Sequence, residues 1–328
     1  MSARGDRRRR LLLFAVGLLI LLGMSPIVGH HVAGGMDRLF LGADHLGPLC
    51  LIALHHFLRP VHDLIHALLA AGLAYAVWDR VQAARLLKRT LAAVEWEHPE
   101  AGGDIEAAAR SAGVDPGRIL VARGLPVPAF TAGWLRPRIY LTRELADRLT
   151  PAELAAVIAH EGVHADRRDP LCLSVLRFVG HALFWIPVLR RLAQDCADEA
   201  EIRADDAARR GQPLALASAL LRVAEWQPAP RPGIGVGIRG GDLFARRIRR
   251  LAGEEVRARS HVTRRSLLGA AASLALVWAT GLVMAHPLPA SGAHAEHCEH
   301  AGSPAWTHLL CAHRAAAVPP GICPHTGR

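Results

Sequence analysis

The chain has 328 residues, of which 51% are hydrophobic and 21% charged, with a mean hydropathy of +0.20 and a formal net charge of +10. It is more apolar than an ordinary soluble chain and the excess is gathered into a few runs, which argues against a purely soluble globular class. Lys88 is the only lysine and the arginines collect at the ends of the apolar runs, so the charge reads as positive flanks of membrane helices rather than as a surface for direct nucleic-acid binding.

Arg7 to Arg10 precede an apolar stretch over residues 11–29, close to the ~20 residues a bilayer requires. A first span with cytoplasmic arginines is expected there. A cleaved signal peptide is the rival, but the run is long for one and no small-x-small site follows at a proper distance, so a retained anchor is the better reading. Residues 30–59 form an apolar connection interrupted by Gly34, Gly35, Gly42, Gly47 and Pro48, with Leu49 to Leu58 in the interface or packed into the bundle. A second span is expected over 61–78. Arg80, Arg85, Lys88 and Arg89 follow it and return the chain to the cytoplasm. His62, Asp63 and His66 belong at its outer end, because an aspartate at the bilayer centre costs about 2.5–3.5 kcal/mol. Residues 1–78 are thus a membrane region with two spans.

Residues 79–263 read as a cytoplasmic domain. A helix around 105–112 ends at Gly113, and RILVAR, VPAFTAG and RIYLT follow as short β-rich runs separated by Gly124-Leu125-Pro126 and Arg136-Pro137. They predict a small antiparallel sheet. An open edge on it could accept a substrate as an added strand.

The stretch from Thr150 to Pro170 carries the chemistry. Thr150 suits the N-cap, Pro151 the first helical position, and Glu153 completes a capping box. Leu154, Val157 and Ile158 form an apolar stripe, and Asp169-Pro170 is expected to stop the helix. On that helix His160 and His164 lie one above the other, so both rings can converge on one ion at about 2.0–2.1 Å. Glu161 projects beside them at an angle that suits a base for the attacking water better than a ligand.

The apolar segment over 171–189 is long enough to cross a bilayer, but a single crossing would put the ligands on opposite faces. It is therefore expected as a membrane-associated helix of the domain, in agreement with Arg177 and His181 inside it. A second alanine-rich helix carries Glu201, the expected third ligand, on one face with Ala197, Asp205 and Ala208. Asp205 is placed to accept a hydrogen bond from a ligating histidine. Asp198, Glu199 and Asp206 are rival carboxylates. The loop over 227–241 is rich in proline and glycine, and its isolated G-x-G is not a nucleotide site.

Residues 264–286 form the last expected span, preceded by Arg264-Arg265, so a tail over 287–328 lies outside the cytoplasm. It contains Cys298, Cys311, Cys323 and six histidines, with His286 just before it. The assigned outer side holds fourteen of the 19 histidines. Sensing of Cu, Zn or Ni is one reading of this bias, and an unstructured tail with one disulfide is the other.

H-E-x-x-H followed by E-x-x-A-D resembles the BlaR/MecR-type membrane zinc metallopeptidases, with the HtpX/CaaX-type membrane proteases as a sibling family. Arg167-Arg168-Asp169-Pro170, Phe184-Trp185-Ile186-Pro187 and Arg247-Ile248-Arg249-Arg250-Leu251 favour the first. Pro128 to Gly133 resembles the strand that both place before the motif helix. The likeness covers about residues 105–286. It implies a multi-pass protein of a bacterial-type inner membrane, mostly helical, with an α+β gluzincin-like domain. One Zn²⁺ per chain would be held by His160, His164 and Glu201, with Glu161 catalytic. It further implies a signalling protease cleaving a protein substrate, either a DNA-binding repressor or itself. Only about 42 residues follow the last span, so a large penicillin-binding sensor is not expected. Membrane-protein quality control and a non-catalytic metal-binding transducer are the alternatives.

Overall fold

The computed structural model describes residues 15–20, 22–25, 28, 46–125, 127–208, 213–226, 241–254 and 260–285. Of the expected first span over 11–29, residues 15–20, 22–25 and 28 are described, with 15–20 and 22–23 helical. The connection over 30–45, the loop over 227–240 and the tail from 286 lie wholly outside the described residues. The described residues form two compact units, one taking in 66–273 with 15–17, the other the remainder of both ends.

The long helix α1, Leu46–Ala92, has 47 residues and contains Pro60. Over 46–59, the described part of the expected connection, the chain is continuous helix and not interrupted. The proline ring removes one ladder hydrogen bond at a cost of about 3 kcal/mol, which a helix of this length tolerates. Its segment Ala53–Ala92 is long and apolar enough to cross a membrane, as is the C-terminal helix Arg264–Ala285. In the second unit, Trp278 Nε1 of that C-terminal helix donates to the Leu19 carbonyl at 3.0 Å. A Cβ on Gly281 would stand 2.1 Å from the Gly23 carbonyl oxygen, so small residues let these backbones touch.

In the first unit, α2 (Asp104–Ser111) leads to β1 (Ile119–Ala122), β2 (Ala129–Ala132) and β3 (Arg138–Thr142). The expected antiparallel sheet is corrected to a mixed one of order β1-β3-β2. β2 and β3 pair antiparallel across a short connection, and β3 lies parallel to β1. With β3 central, the chain leaving β1 must reverse twice before it pairs back, so both senses occur. Beyond a short helix α3 (Glu144–Arg148) comes the motif helix α4 (Pro151–Arg167). Ile119, Ile139, Leu141, Leu154 and Ile158 are almost fully buried in one core that joins the sheet to α4. At about 1.5–3 kcal/mol for each such side chain, this core fixes the helix against the sheet.

Residues 171–189 do not form a single helix. α5 (Asp169–Ala182) ends at a turn and α6 (Pro187–Ala208) begins at Pro187. α4 itself ends one residue before the expected Asp169-Pro170 stop. Arg168 adopts the left-handed conformation (φ 53°, ψ 40°), and the Asp-Pro pair starts α5 instead. Helices α7 (Pro213–Trp226), α8 (Gly241–Leu251) and α9 (Arg264–Ala285) complete the described chain.

The start of α4 carries the expected capping box. Thr150 N donates to Glu153 Oε2 at 2.8 Å, and Glu153 N donates to Thr150 Oγ1 at 3.3 Å. Ser218 Oγ also donates to Glu153, and Arg222 Nε lies 3.2 Å away. Burial opposes ionisation of Glu153, but the bonds from Ser218 and Thr150 outweigh it and hold the carboxyl below its ordinary 4.5. A depressed carboxylate stabilises the fold above its unfolded value and loses that contribution as pH falls through the folded one. Glu153→Gln is expected to cost about 1 kcal/mol at neutral pH. In thermal unfolding, the gap between wild type and variant should close on acidification below the ordinary carboxylate range.

Candidate metal centre

α4 and α6 cross so that three donors converge. His160 Nε2 and His164 Nε2 are 3.2 Å apart. Glu201 Oε2 lies 3.6 Å from the first and Oε1 3.7 Å from the second. All three residues are buried, at 6–8% exposure. Ligands about 2.0–2.1 Å from a tetrahedral ion sit roughly 3.3–3.4 Å from one another, so the donor spacing and the two-nitrogen, one-oxygen set fit a zinc-sized cation. Among the described residues, this is the group that converges in this way.

Local sequence explains the crossing. A Cβ on Gly162 would stand 2.7 Å from Val114 Cγ2, so the glycine within the motif makes room for the residue that follows α2. On α6, Ala200 and Ala204 are buried beside Glu201 and Asp205, which brings the helices close. Ala197 and Ala208, expected on that face, are only partly buried. The rival carboxylates are engaged elsewhere: Asp198 pairs with Arg246 at 3.0 Å and Asp206 with Arg250 at 2.9 Å. Glu199 is buried and is not in the converging group.

Each histidine has a carboxylate behind it. His160 Nδ1 lies 3.0 Å from Asp205 Oδ1, and His164 Nδ1 lies 2.9 Å from Asp169 Oδ2. Asp169 was not singled out by sequence reasoning as a site residue. Its place depends on the left-handed Arg168, which turns the chain so that the fifth residue after His164 returns to that ring. Such partners fix tautomer and ring orientation.

Two more residues lie in segments that carry the resemblance, but their roles in the site emerge only from the fold. Arg247 on α8 donates from Nε and Nη2 to both oxygens of Asp205, at 2.8 and 2.7 Å, and its Nη1 lies 2.8 Å from Glu201 Oε2. Thr131 on β2 places Oγ1 2.7 Å from Glu161 Oε2 and 3.0 Å from the Glu161 carbonyl oxygen, one hydroxyl proton facing two acceptors. Glu161 thus stands beside the converging donors, held from the sheet.

The charges are strongly coupled. Burial opposes the charged form of His160, yet Asp205 and Glu201 raise its imidazole to about 9. Burial likewise opposes ionisation of Asp205, but His160 and Arg247 hold it at about 2, and the same two partners hold Glu201 below its usual range. The site therefore keeps its carboxylates ionised, balanced by Arg247 and the His160 proton. A bound ion would have to displace the His160 proton.

A stretch of 94 residues is 32% identical to protease HtpX homolog 2 of Methanosarcina mazei, covering 28% of this chain and 32% of that protein. The chain thus matches about a third of its relative's length. Residues 55–223 match the family described as BlaR1 peptidase M56, a segment that ends before Arg247. That segment is just over half of the 328 residues, and it contains α4, the turn at Arg168 and α6 with Glu201: the chain belongs to the BlaR1 peptidase M56 family.

Proposed function

We propose that this protein is a membrane-embedded zinc-dependent endopeptidase. The observation that carries the reading is the buried convergence of His160, His164 and Glu201 with Glu161 beside them. Family membership and the apolar helices α1 and α9 support the membrane setting. His160, His164 and Glu201 would hold the ion, which when bound polarises the scissile carbonyl and acidifies the attacking water. Glu161 takes the water's proton on its carboxylate and delivers it to the leaving amine. Asp169 engages Nδ1 of His164 and Asp205 lies 3.0 Å from Nδ1 of His160, which leaves Nε2 of each ring in the converging group. Among the described residues no strand pairs with the outer edge of β2, so an extended substrate can add there beside α4.

Thr131 orients the base through its hydroxyl. Thr131→Val removes one hydrogen bond to a charged group, worth about 1.5–3 kcal/mol where fully expressed. Turnover should fall by about tenfold or more with metal content unchanged. An unaltered kcat in that variant would reduce Thr131 to a packing role.

The substrate proposed from the family is a cytoplasmic DNA-binding repressor, or the chain itself, cleaved in response to an extracytoplasmic stimulus. The likeness to the HtpX homolog favours a second reading, turnover of misfolded membrane proteins. Incubating the purified chain with a candidate repressor, with and without chelator, tests the first. Accumulation of misfolded membrane proteins in cells lacking the chain tests the second.

A further inference from the structure

We propose that the turn between α5 and α6 inserts Phe184 and Trp185 shallowly into the bilayer face from which α1 emerges, with Leu183 and Ile186 buried beneath them, anchoring the metal site at the lipid surface. The inference rests on the membrane reading of α1 given above.

The register comes from α1. A Cβ on Gly72 would stand 2.2 Å from the Ala182 carbonyl oxygen, so backbone meets backbone there and only glycine permits it. Tyr75 and His181 rings are 5.1 Å apart, and Arg80 reaches Ser174 at 3.5 Å. α5 therefore heads back along α1 from its charged end toward its apolar part, and the turn arrives level with Gly72. Gly72 precedes Trp78, the last residue of the apolar run, by six positions, or roughly 9 Å of helix.

At that level the exposed surface is apolar, as contact with lipid requires. Gly72 and Ala76 face the protein, Ala76 being fully buried, whereas Leu73, Val77 and Trp78 are 40–57% exposed on the rest of α1. Phe184 at the turn is 53% exposed and continues that surface. Tyr75, Trp78 and Trp185 supply the aromatic rings that prefer a membrane interface. Charged groups gather just behind the tip: Asp79 pairs with Arg80 and lies 3.8 Å from His181. Their position limits insertion to the headgroup and upper acyl region.

Both arms of this hairpin end at the metal centre. α5 starts with Asp169, which engages His164, and α6 carries Glu201 fourteen residues after Pro187, roughly 21 Å from the tip along the helix. An extended peptide of about six residues covers that distance. The favoured substrate is therefore a peptide bond close to where a protein leaves, or lies on, the membrane.

The test uses the full chain in phosphatidylcholine–phosphatidylglycerol vesicles. The photo-crosslinking residue p-benzoylphenylalanine replaces Phe184, Leu73 or the exposed Asp166, each in a separate variant, and Trp185 in a second probe of the turn. Lipid adducts at 184, 185 and 73 but not at 166 are expected. Adducts at 73 alone overturn the insertion and leave the membrane reading standing. Adducts at none of the sites overturn both. Crosslinking of position 184 to a second copy of the chain, or equal labelling at 166, also overturns the proposal.

Discussion

Glu161→Gln is expected to retain its metal and lose turnover by about 10²–10⁴-fold, the range for a general acid-base group. The amide has the shape of the carboxylate, and its oxygen can still accept from Thr131 Oγ1, which lies 2.7 Å from Glu161 Oε2 in the native site. What is lost is the ability to take up a proton and return it. Glu161 also lies outside the converging ligand group, so ion binding by His160, His164 and Glu201 should be undisturbed. Metal stoichiometry by elemental mass spectrometry and kcat on a peptide substrate separate the two effects. Full turnover in the variant would remove Glu161 as the base, and loss of the metal would make it a ligand.

The parts of this site written in local sequence are those that can be read from it. Thr150, Pro151 and Glu153 mark a helix start within four residues, and helical spacing alone aligns His160 with His164. The alanine-rich run around Glu201 signals a close helix face, and Ala200 and Ala204 are its most deeply buried alanines. Asp169 is near in sequence but hidden, because its contact requires a left-handed arginine that no spacing rule anticipates. Thr131 and Arg247 lie 30 residues before Glu161 and 42 after Asp205, and only tertiary packing brings them in. The sheet shows the same division. Its three strands are evident as β-rich runs, whereas the central place of β3, and with it the parallel pairing, is a long-range property. Likewise, the glycines and prolines before residue 60 predict an interrupted chain, but α1 already begins at Leu46 and continues through Pro60.

Glu201→Ala is expected to abolish stoichiometric metal binding, and the surrounding charges make this a clean experiment. Losing a carboxylate that orients a ligand costs about 10–100-fold in metal affinity, so Asp205→Asn sets a floor that removal of a direct ligand should exceed. The usual objection is that stripping one member from a buried ion network unfolds the protein. Breaking such a pair costs about 3–5 kcal/mol when it strands a charge. In Glu201→Ala, Arg247 keeps both of its bonds to Asp205, at 2.8 and 2.7 Å, so the guanidinium stays paired. The truncation leaves a small cavity between α4 and α6, with Asp205 remaining between Arg247 and His160. Arg247→Ala is the contrasting case, since it removes the guanidinium shared by Glu201 and Asp205 and leaves His160 to face both carboxylates, and it should lower the melting temperature more than Glu201→Ala does. A folded Glu201→Ala protein with normal metal content would shift the third ligand to Asp198, Glu199 or Asp206. A folded protein without metal would assign it to Glu201.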